Sequence, residues 1–431
     1  MTSASPSAAT NPEAIPQAVE HALDLAEAGK FAEARDALWA EIKETGHPVA
    51  HLFLADFLHR GIGGERDPLT ARNLLKAAAL AGSARGASLY ATFAASDVDG
   101  PRNFDEAADF LVMAASLGDL ASMAELAIML TADPSQRGNR QALIEAAAMR
   151  GDGIAAWLAH QWRLESADRT VRADADVWLM YAARLGHPLA VSALRARMRP
   201  APAQVRAPLD RFHLIPWEII REKIVLPHTR PLPSAVVELN TPYVRSMRGL
   251  LTAEECDYLC AKGADRLEPA RVGQGTLHEA RTNESSTFDL MHASVLVQSL
   301  DTRIALALDA PPENGERLVL LRYLTGQAYA PHFDWLDPEA SGDAAAIEAG
   351  GQRLATLITY LNADFTGGET HFVRTNAAFR GNKGDALLWS NVLPDGSVDA
   401  ATEHAGRPPL SGEKYLLSKW MRDRSQAQLR P

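Results

Sequence analysis

Five glycines place the strongest constraint on how this 431-residue chain can fold. Four of them close alanine-rich runs: Ala77-Ala78-Ala79-Leu80-Ala81-Gly82, Ala114-Ala115-Ser116-Leu117-Gly118, Ala147-Ala148-Met149-Arg150-Gly151 and Ala182-Ala183-Arg184-Leu185-Gly186. They fall roughly 33–36 residues apart, and Gly46 extends the series backwards. Glycine reaches the left-handed conformation that ends a helix without steric cost. Each glycine is followed by a short turn and a new apolar run, as in Gly186-His187-Pro188-Leu189-Ala190. Alanines let paired helices approach closely. The pattern predicts two helices per repeat and an all-α solenoid over residues 16–199.

The flanks read differently. Residues 1–15 are rich in Ser, Ala and Thr, have no basic segment followed by an apolar one, and are expected to form a disordered tail. Eight prolines crowd residues 200–243, so a linker is expected over 200–241, with one short helix at Trp217 to Lys223. No stretch reaches the roughly 18 apolar residues of a membrane span, so no membrane partner is expected. The net charge of -11 disfavours polyanionic partners, and no nucleic acid is expected either. The only cysteines, Cys256 and Cys260, lie one helical turn apart without a second Cys/His pair at finger spacing. They read as small packed side chains, and their scarcity suits a reducing, cytoplasmic setting.

From residue 242 the pattern becomes mixed. Thr252 with Glu255 forms a capping-box signature for a helix. Short apolar runs at Leu318 to Leu324, Leu354 to Leu361, Ala386 to Trp389 and Tyr415 to Met421 are separated by Gly, Pro and Asn, as in a β-sandwich or barrel. In Tyr329-Ala330-Pro331-His332-Phe333-Asp334 the imidazole and the carboxylate are two residues apart, and on a strand they share one face. With a distant histidine they would make the two-His-one-carboxylate facial triad of non-haem Fe(II) oxygenases. Glu403-His404 supplies one, and Lys414 follows ten residues later.

Two resemblances follow from these residues. The segment Leu54-Ala55-Asp56-Phe57-Leu58-His59-Arg60-Gly61, with Asp67, Ala71 and Ala77-Ala78, resembles the SEL-like subclass of tetratricopeptide repeats. Residues 242–425 resemble the catalytic domain of the prolyl 4-hydroxylase family of Fe(II)/2-oxoglutarate-dependent dioxygenases. The matching stretches are Leu251 to Leu259, Tyr329-x-Pro-His332-x-Asp334, Arg353-x-x-Thr356 through Tyr360-Leu361-Asn362, Gly367-Gly368-Glu369-Thr370, Gly384-Asp385-Ala386-Leu387 and His404-Ala405-Gly406 through Gly412-Glu413-Lys414.

The second resemblance implies a double-stranded β-helix (jelly-roll) with flanking helices. It assigns His332, Asp334 and His404 to Fe(II), and Lys414 to the distal carboxylate of 2-oxoglutarate. Tyr323 and Thr356 are implied as hydrogen-bonding support for the cosubstrate, and Trp420 as a pocket neighbour. Tyr329 and Arg281 fall on the substrate side. The implied reaction consumes O2 and 2-oxoglutarate, releases succinate and CO2, uses ascorbate as a reductant, and hydroxylates prolyl residues of a peptide or protein, which can be proline-rich and recruited by the solenoid. Another side chain, a free amino acid or a small metabolite is the alternative substrate, and a non-enzymatic adaptor the remote one. His371, His278 and His292 are expected to be non-ligands. The acidic 337–351 stretch reads as a mobile lid loop. Arg407 stands where the family commonly has cysteine.

Overall fold

The alanine-rich runs fold as helices, and their closing glycines all have positive φ, from +67° at Gly46 to +112° at Gly151. The computed structural model describes residues 13–196, 212–271 and 280–426. Most of the expected tail, the first part of the linker and His278 lie outside the described residues. The chain divides into two compact units, one ending at Ser122 and one beginning at Met123.

The first unit contains α1 (Gln17–Glu27), α2 (Phe31–Glu44), α3 (Pro48–Arg60), α4 (Pro68–Leu80), α5 (Ala84–Ala94) and α6 (Phe104–Ser116), each packed on the next. Small side chains set the spacing: Ala71, Ala78, Ala79, Ala87, Ala91, Ala107 and Ala114 are buried. A Cβ on Gly86 would come within 2.8 Å of the Ala78 methyl, so α4 and α5 meet almost backbone to backbone. Side chains of Asp67, Ser83 and Asn103 cap α4, α5 and α6 by accepting from backbone N–H groups. The unit boundary falls inside α7 (Leu120–Met129).

The second unit begins with the remaining repeat helices, α8 (Arg137–Met149), α9 (Gly153–Leu164), α10 (Arg169–Ala173), α11 (Ala175–Arg184) and α12 (Pro188–Ala196). A short α13 spans Trp217–Lys223, where the linker was expected to hold a helix. The expected boundaries, 16–199 for the solenoid and 242–425 for the oxygenase, thus differ from the observed division. The physical reason is packing. Helix α9 lies against α14 (Ala253–Gly263), Arg140 pairs with Glu254 at 3.3 Å, and Lys383 bridges Asp257 and Glu165. The late repeats therefore share a core with the β-rich part. Helix α14 carries the expected capping box and both cysteines, which are free and buried. Helices α15 (Val295–Ala307) and α16 (Ser341–Gly350) complete the set. No helix among the described residues is long and apolar enough to cross a membrane.

His187, just after the last repeat glycine, links two of these packed parts. Its ring stacks on Trp157 of α9 at 5.7 Å, and its Nε2–H donates to the Ala261 carbonyl of α14. Burial pushes its pKa down to about 4, although Ala261 and Asp265 pull the other way. The unfolded chain then binds more protons than the folded one between pH 6.5 and 4. This histidine's contribution is intact above about pH 6.5 and is lost as pH falls through that window, about 3 kcal/mol in all. His187→Gln is expected to flatten the fall in thermal stability between pH 6.5 and 4. An unchanged acid limb in thermal unfolding would contradict it.

Among the described residues the β-rich part has fourteen strands: β1 (Ala235–Asn240), β2 (Tyr243–Met247), β3 (Glu268–Pro269), β4 (Glu284–Thr287), β5 (Val319–Tyr323), β6 (Tyr329–His332), β7 (Arg353–Tyr360), β8 (Thr366–Gly367), β9 (Thr370–Phe372), β10 (Ala377–Phe379), β11 (Ala386–Ser390), β12 (His404–Gly406), β13 (Pro409–Ser411) and β14 (Lys414–Arg422). Eight form one sheet in the order β1-β2-β11-β7-β14-β5-β4-β3, four form a second in the order β10-β9-β12-β6, and β8 pairs with β13. The core contains Val244, Leu321, Tyr323, Ile358, Tyr360, Phe372, Trp389 and Leu416. Phe372 of the smaller sheet meets Trp389 of the larger edge to face at 5.5 Å.

Strand alternation decides what enters this interior. Along β14, Leu416 joins the core, while Lys414, Ser418 and Trp420 line the inner cavity beside it. On the opposite face Lys419 pairs with Asp301 of α15. Two fully buried lysines on one strand therefore have different surroundings.

Candidate active site

Strand pairing brings the two histidines together. β12 runs antiparallel to β6 in a register that sets His404 directly opposite His332, with ring centroids 4.3 Å apart. Asp334 is not on the strand, contrary to expectation. β6 ends at His332, and the carboxylate is reached through a bend. What holds it there is contact rather than pleat. Thr356 Oγ1 donates to Asp334 Oδ2 at 2.8 Å, and Arg353 donates to the Asp334 carbonyl at 3.3 Å. His332 Nε2 lies 3.7 Å from Asp334 Oδ1, and His404 Nε2 3.7 Å from Oδ2. Ligand atoms of the three residues all fall within 4.8 Å of one another.

The imidazoles are oriented for metal binding. His332 Nδ1 faces the Ala330 carbonyl at 2.9 Å, and His404 Nδ1 faces that of Thr402 at 3.0 Å. A carbonyl only accepts, so each Nδ1 carries the hydrogen and each Nε2 lone pair turns toward the carboxylate. Burial, with the neighbouring His404, pushes His332 down to about 3, so it is neutral near pH 7. Burial alone would raise Asp334, but both imidazoles, Arg353 and the Thr356 hydroxyl outweigh it and keep the carboxyl ionised. Two imidazole nitrogens and one carboxylate oxygen suit a divalent first-row metal, and iron(II) fits this donor set.

Lys414, the first residue of β14, lies deeper in the same cavity. Its side chain is fully buried, and its Nζ has no hydrogen-bond partner among the described residues. The ammonium sits 5.0 Å from the Tyr323 ring and 5.8 Å from that of Tyr360. Burial pushes its pKa down to about 7, against a weak pull from Glu369. A buried cation beside aromatic rings favours an anionic partner, and a carboxylate of 2-oxoglutarate fits it in charge. The same cavity is lined by Tyr323, Thr370 and Trp420.

The outer side is an open cleft of about 730 Å³ lined by Arg281, Tyr329, Phe333, Asp334, Trp335 and Trp420, among others. Tyr329 stacks on His332 at 3.5 Å, and the Arg281 guanidinium lies 4.7 Å over the Tyr329 ring. Both expected substrate-side residues thus flank the triad. Trp420 is covered by Arg353 at 4.5 Å.

Two sequence readings change, and one residue is new. Thr356, expected to support 2-oxoglutarate, turns its hydroxyl to Asp334 instead. The 337–351 stretch is not a loop, since ten of its residues form α16, with Arg422 donating to the Ala346 and Gly351 carbonyls and Gln426 to that of Gly350. Asn391 was not anticipated at all. It is fully buried and donates to Thr356 Oγ1 at 3.0 Å. Its only signal is spatial, since β11 pairs with β7 and delivers Asn391 beside Thr356. His371 pairs in register with Ala405 rather than His404 and bonds Asn376, so it stays outside the triad, as does the half-exposed His292.

Comparison with known proteins agrees with this geometry. Residues 318–422 match the 2OG-Fe(II) oxygenase superfamily. The chain is similar to prolyl 4-hydroxylase 1 of Arabidopsis thaliana, 33% identical over 204 residues that cover 43% of this chain and 70% of the relative. It is also similar to probable prolyl 4-hydroxylase 7 of the same plant, 32% identical over 217 residues, 45% of this chain and 67% of that one. Among solved structures, a viral collagen prolyl hydroxylase from Paramecium bursaria Chlorella virus-1 aligns over 42% of this chain and 95% of its own, with 26% identity and a TM-score of 0.34. A Sel1 repeat protein from Oxalobacter formigenes aligns over 49% of this chain and 88% of its own, with 19% identity and a TM-score of 0.38.

Proposed function

This chain belongs to the prolyl 4-hydroxylase family of 2OG-Fe(II) oxygenases, and from that premise we propose that it hydroxylates prolyl residues of a peptide or protein in the cytoplasm. The observation that carries the reading is an open cleft of about 730 Å³ beside the triad, roomy enough for an extended peptide. His332, Asp334 and His404 would hold the iron. Lys414 would take the distal carboxylate of 2-oxoglutarate, with Tyr323 and Trp420 as walls. When bound, the metal and cosubstrate supply oxidative decarboxylation to succinate and CO2 coupled to C–H hydroxylation. The chain's own task is to orient and enclose. Imidazoles oriented by their Nδ1–H bonds to backbone carbonyls turn Nε2 toward the metal position, and Thr356 holds the carboxylate. Tyr329, Phe333 and Trp335 would pack a pyrrolidine ring, while Arg281 would donate to substrate carbonyl oxygens.

Incubation with Fe(II), 2-oxoglutarate, ascorbate, O2 and a panel of proline-rich peptides should add one oxygen to prolyl residues, read by mass spectrometry. Robust succinate formation on a free amino acid or small metabolite, with no peptide oxidised across the panel, would overturn the prolyl reading and keep the oxygenase. Recruitment by the repeats is part of the proposal. Removing residues 1–122 should raise the KM for a protein substrate while leaving that for a short peptide unchanged. The cut is placed there because removal of 1–199 would also strip α9 from α14.

A further inference from the structure

Three buried polar residues from distant parts of the chain form a chain of hydrogen bonds ending on the triad. Asn391 Nδ2 lies 3.0 Å from Thr356 Oγ1, and Thr356 Oγ1 lies 2.8 Å from Asp334 Oδ2. Asn391 and Thr356 are almost wholly excluded from solvent, at 0% and 1% exposure. A hydroxyl has one hydrogen. If Asn391 donates, the threonine oxygen accepts there and its hydrogen is committed to the carboxylate. With the amide turned over, Asn391 Oδ1 would compete for that hydrogen and leave Oδ2 facing a lone pair. The structure has the first arrangement, with Asn391 Nδ2 donating to Thr356 Oγ1 and Thr356 Oγ1 donating to Asp334 Oδ2, so every bond in the chain points toward the carboxylate.

A second observation marks Asn391 as more than filler. Its Oδ1 is buried with no hydrogen-bond partner among the described residues. Burying an unpaired carbonyl is unfavourable, and an apolar side chain of the same shape would avoid that cost. The amide is kept where only its N–H group is used. The main chain at Asp334 is fixed independently. Arg353 donates to the Asp334 carbonyl, while its guanidinium is clamped on Glu316 at 2.6 and 2.8 Å. The ligand is thus held at its backbone by Arg353 and at its carboxylate by Thr356.

We propose that Asn391 is a positioning residue for the metal: acting through Thr356, it fixes the rotation of the Asp334 carboxylate so that a metal-ligating oxygen is presented with both imidazoles before any metal arrives. The inference rests on the metal reading of the triad above and is independent of the prolyl substrate. Outer-shell partners of metal ligands typically contribute 10–100-fold to affinity, and the relay assigns that share to two residues that touch no metal.

The test is Co(II) binding to the metal-free full-length protein, followed by visible absorption and calorimetry, with thermal unfolding of each variant as a folding control. Thr356→Val should weaken binding about 10–100-fold, and Thr356→Ser, which keeps the hydroxyl, should stay within about threefold of wild type. Asn391→Leu should weaken binding in the wild-type background and add nothing in the Thr356→Val background, because its effect passes through the hydroxyl. If Val at 356 prevents folding, Thr356→Ala carries the same comparison. Wild-type affinity in both single variants overturns the relay, as does an Asn391→Leu effect undiminished without the hydroxyl. Failure of the wild-type protein itself to bind Co(II) would instead remove the metal reading beneath it.

Discussion

Lys414→Leu is expected to weaken 2-oxoglutarate binding by more than about 100-fold, the loss of a buried charge-assisted contact, and yet to stabilise the ligand-free protein. Both effects come from one feature. The ammonium is fully buried, has no hydrogen-bond partner among the described residues, and is pushed down to about 7 by burial. Keeping it in the ligand-free fold at neutral pH costs on the order of 4 kcal/mol. A leucine in the same space, beside Tyr323, Tyr360 and Leu416, removes that cost and the anion site together. The sign with pH follows. Between about 7 and 10.5 the unfolded chain still holds the lysine proton that the ligand-free fold has released. Stability of the wild-type protein should therefore rise through that window, and the leucine variant should lack this slope. Binding a dicarboxylate restores the charge, so wild-type affinity should fall as pH rises above 7. Calorimetric titration with 2-oxoglutarate and Mn(II), beside thermal unfolding of both proteins, checks each part. A variant that binds 2-oxoglutarate within threefold of wild type would remove Lys414 from the site.

Local signals in the sequence located the elements well, because the cause of each was local. The repeat glycines, the Thr252–Glu255 capping box, α13 and strands β5, β7, β11 and β14 all rest on backbone chemistry or alternation within a few residues. His332 and His404 were legible because each sits at a strand end, and the β6–β12 register turns that placement into a pair. The failures were long-range. Nothing within the repeat period says that α9 will bury itself on α14, so the boundary moved to Ser122. α16 was hidden by its terminal glycines and acidic residues, although Ala344-Ala345-Ala346-Ile347-Glu348 is good helix material. Its C-terminal end is bonded by Arg422 and Gln426, far along the chain. Thr356 was expected to face the cosubstrate, and its hydroxyl donates to Asp334. A β-strand position tells which face a side chain takes, but not which atom its hydroxyl meets.

Asp334→Asn should separate folding from metal chemistry more cleanly than alanine at either histidine. The amide has the shape of the carboxylate, and one of its oxygen-side contacts, the bond from Thr356 at 2.8 Å, can persist. Its NH2 group would then face an imidazole Nε2 across a gap that is 3.7 Å in the wild-type protein. A donor facing a lone pair is favourable, so the variant should fold at least as well without metal. Metal binding loses its only anionic ligand in a buried site, where an uncompensated charge contact is worth about 2–5 kcal/mol. Co(II) affinity is expected to fall on the order of 10³-fold, and 2-oxoglutarate turnover with it. An alanine at His332 would confuse the result, because the Tyr329 ring stacked on it at 3.5 Å would lose its support. Unfolding temperature, Co(II) affinity and succinate formation measured on one preparation decide the matter. Turnover near the wild-type rate in a folded Asp334→Asn protein would mean that the two imidazoles suffice, and that the carboxylate held by Thr356 serves the fold rather than the iron.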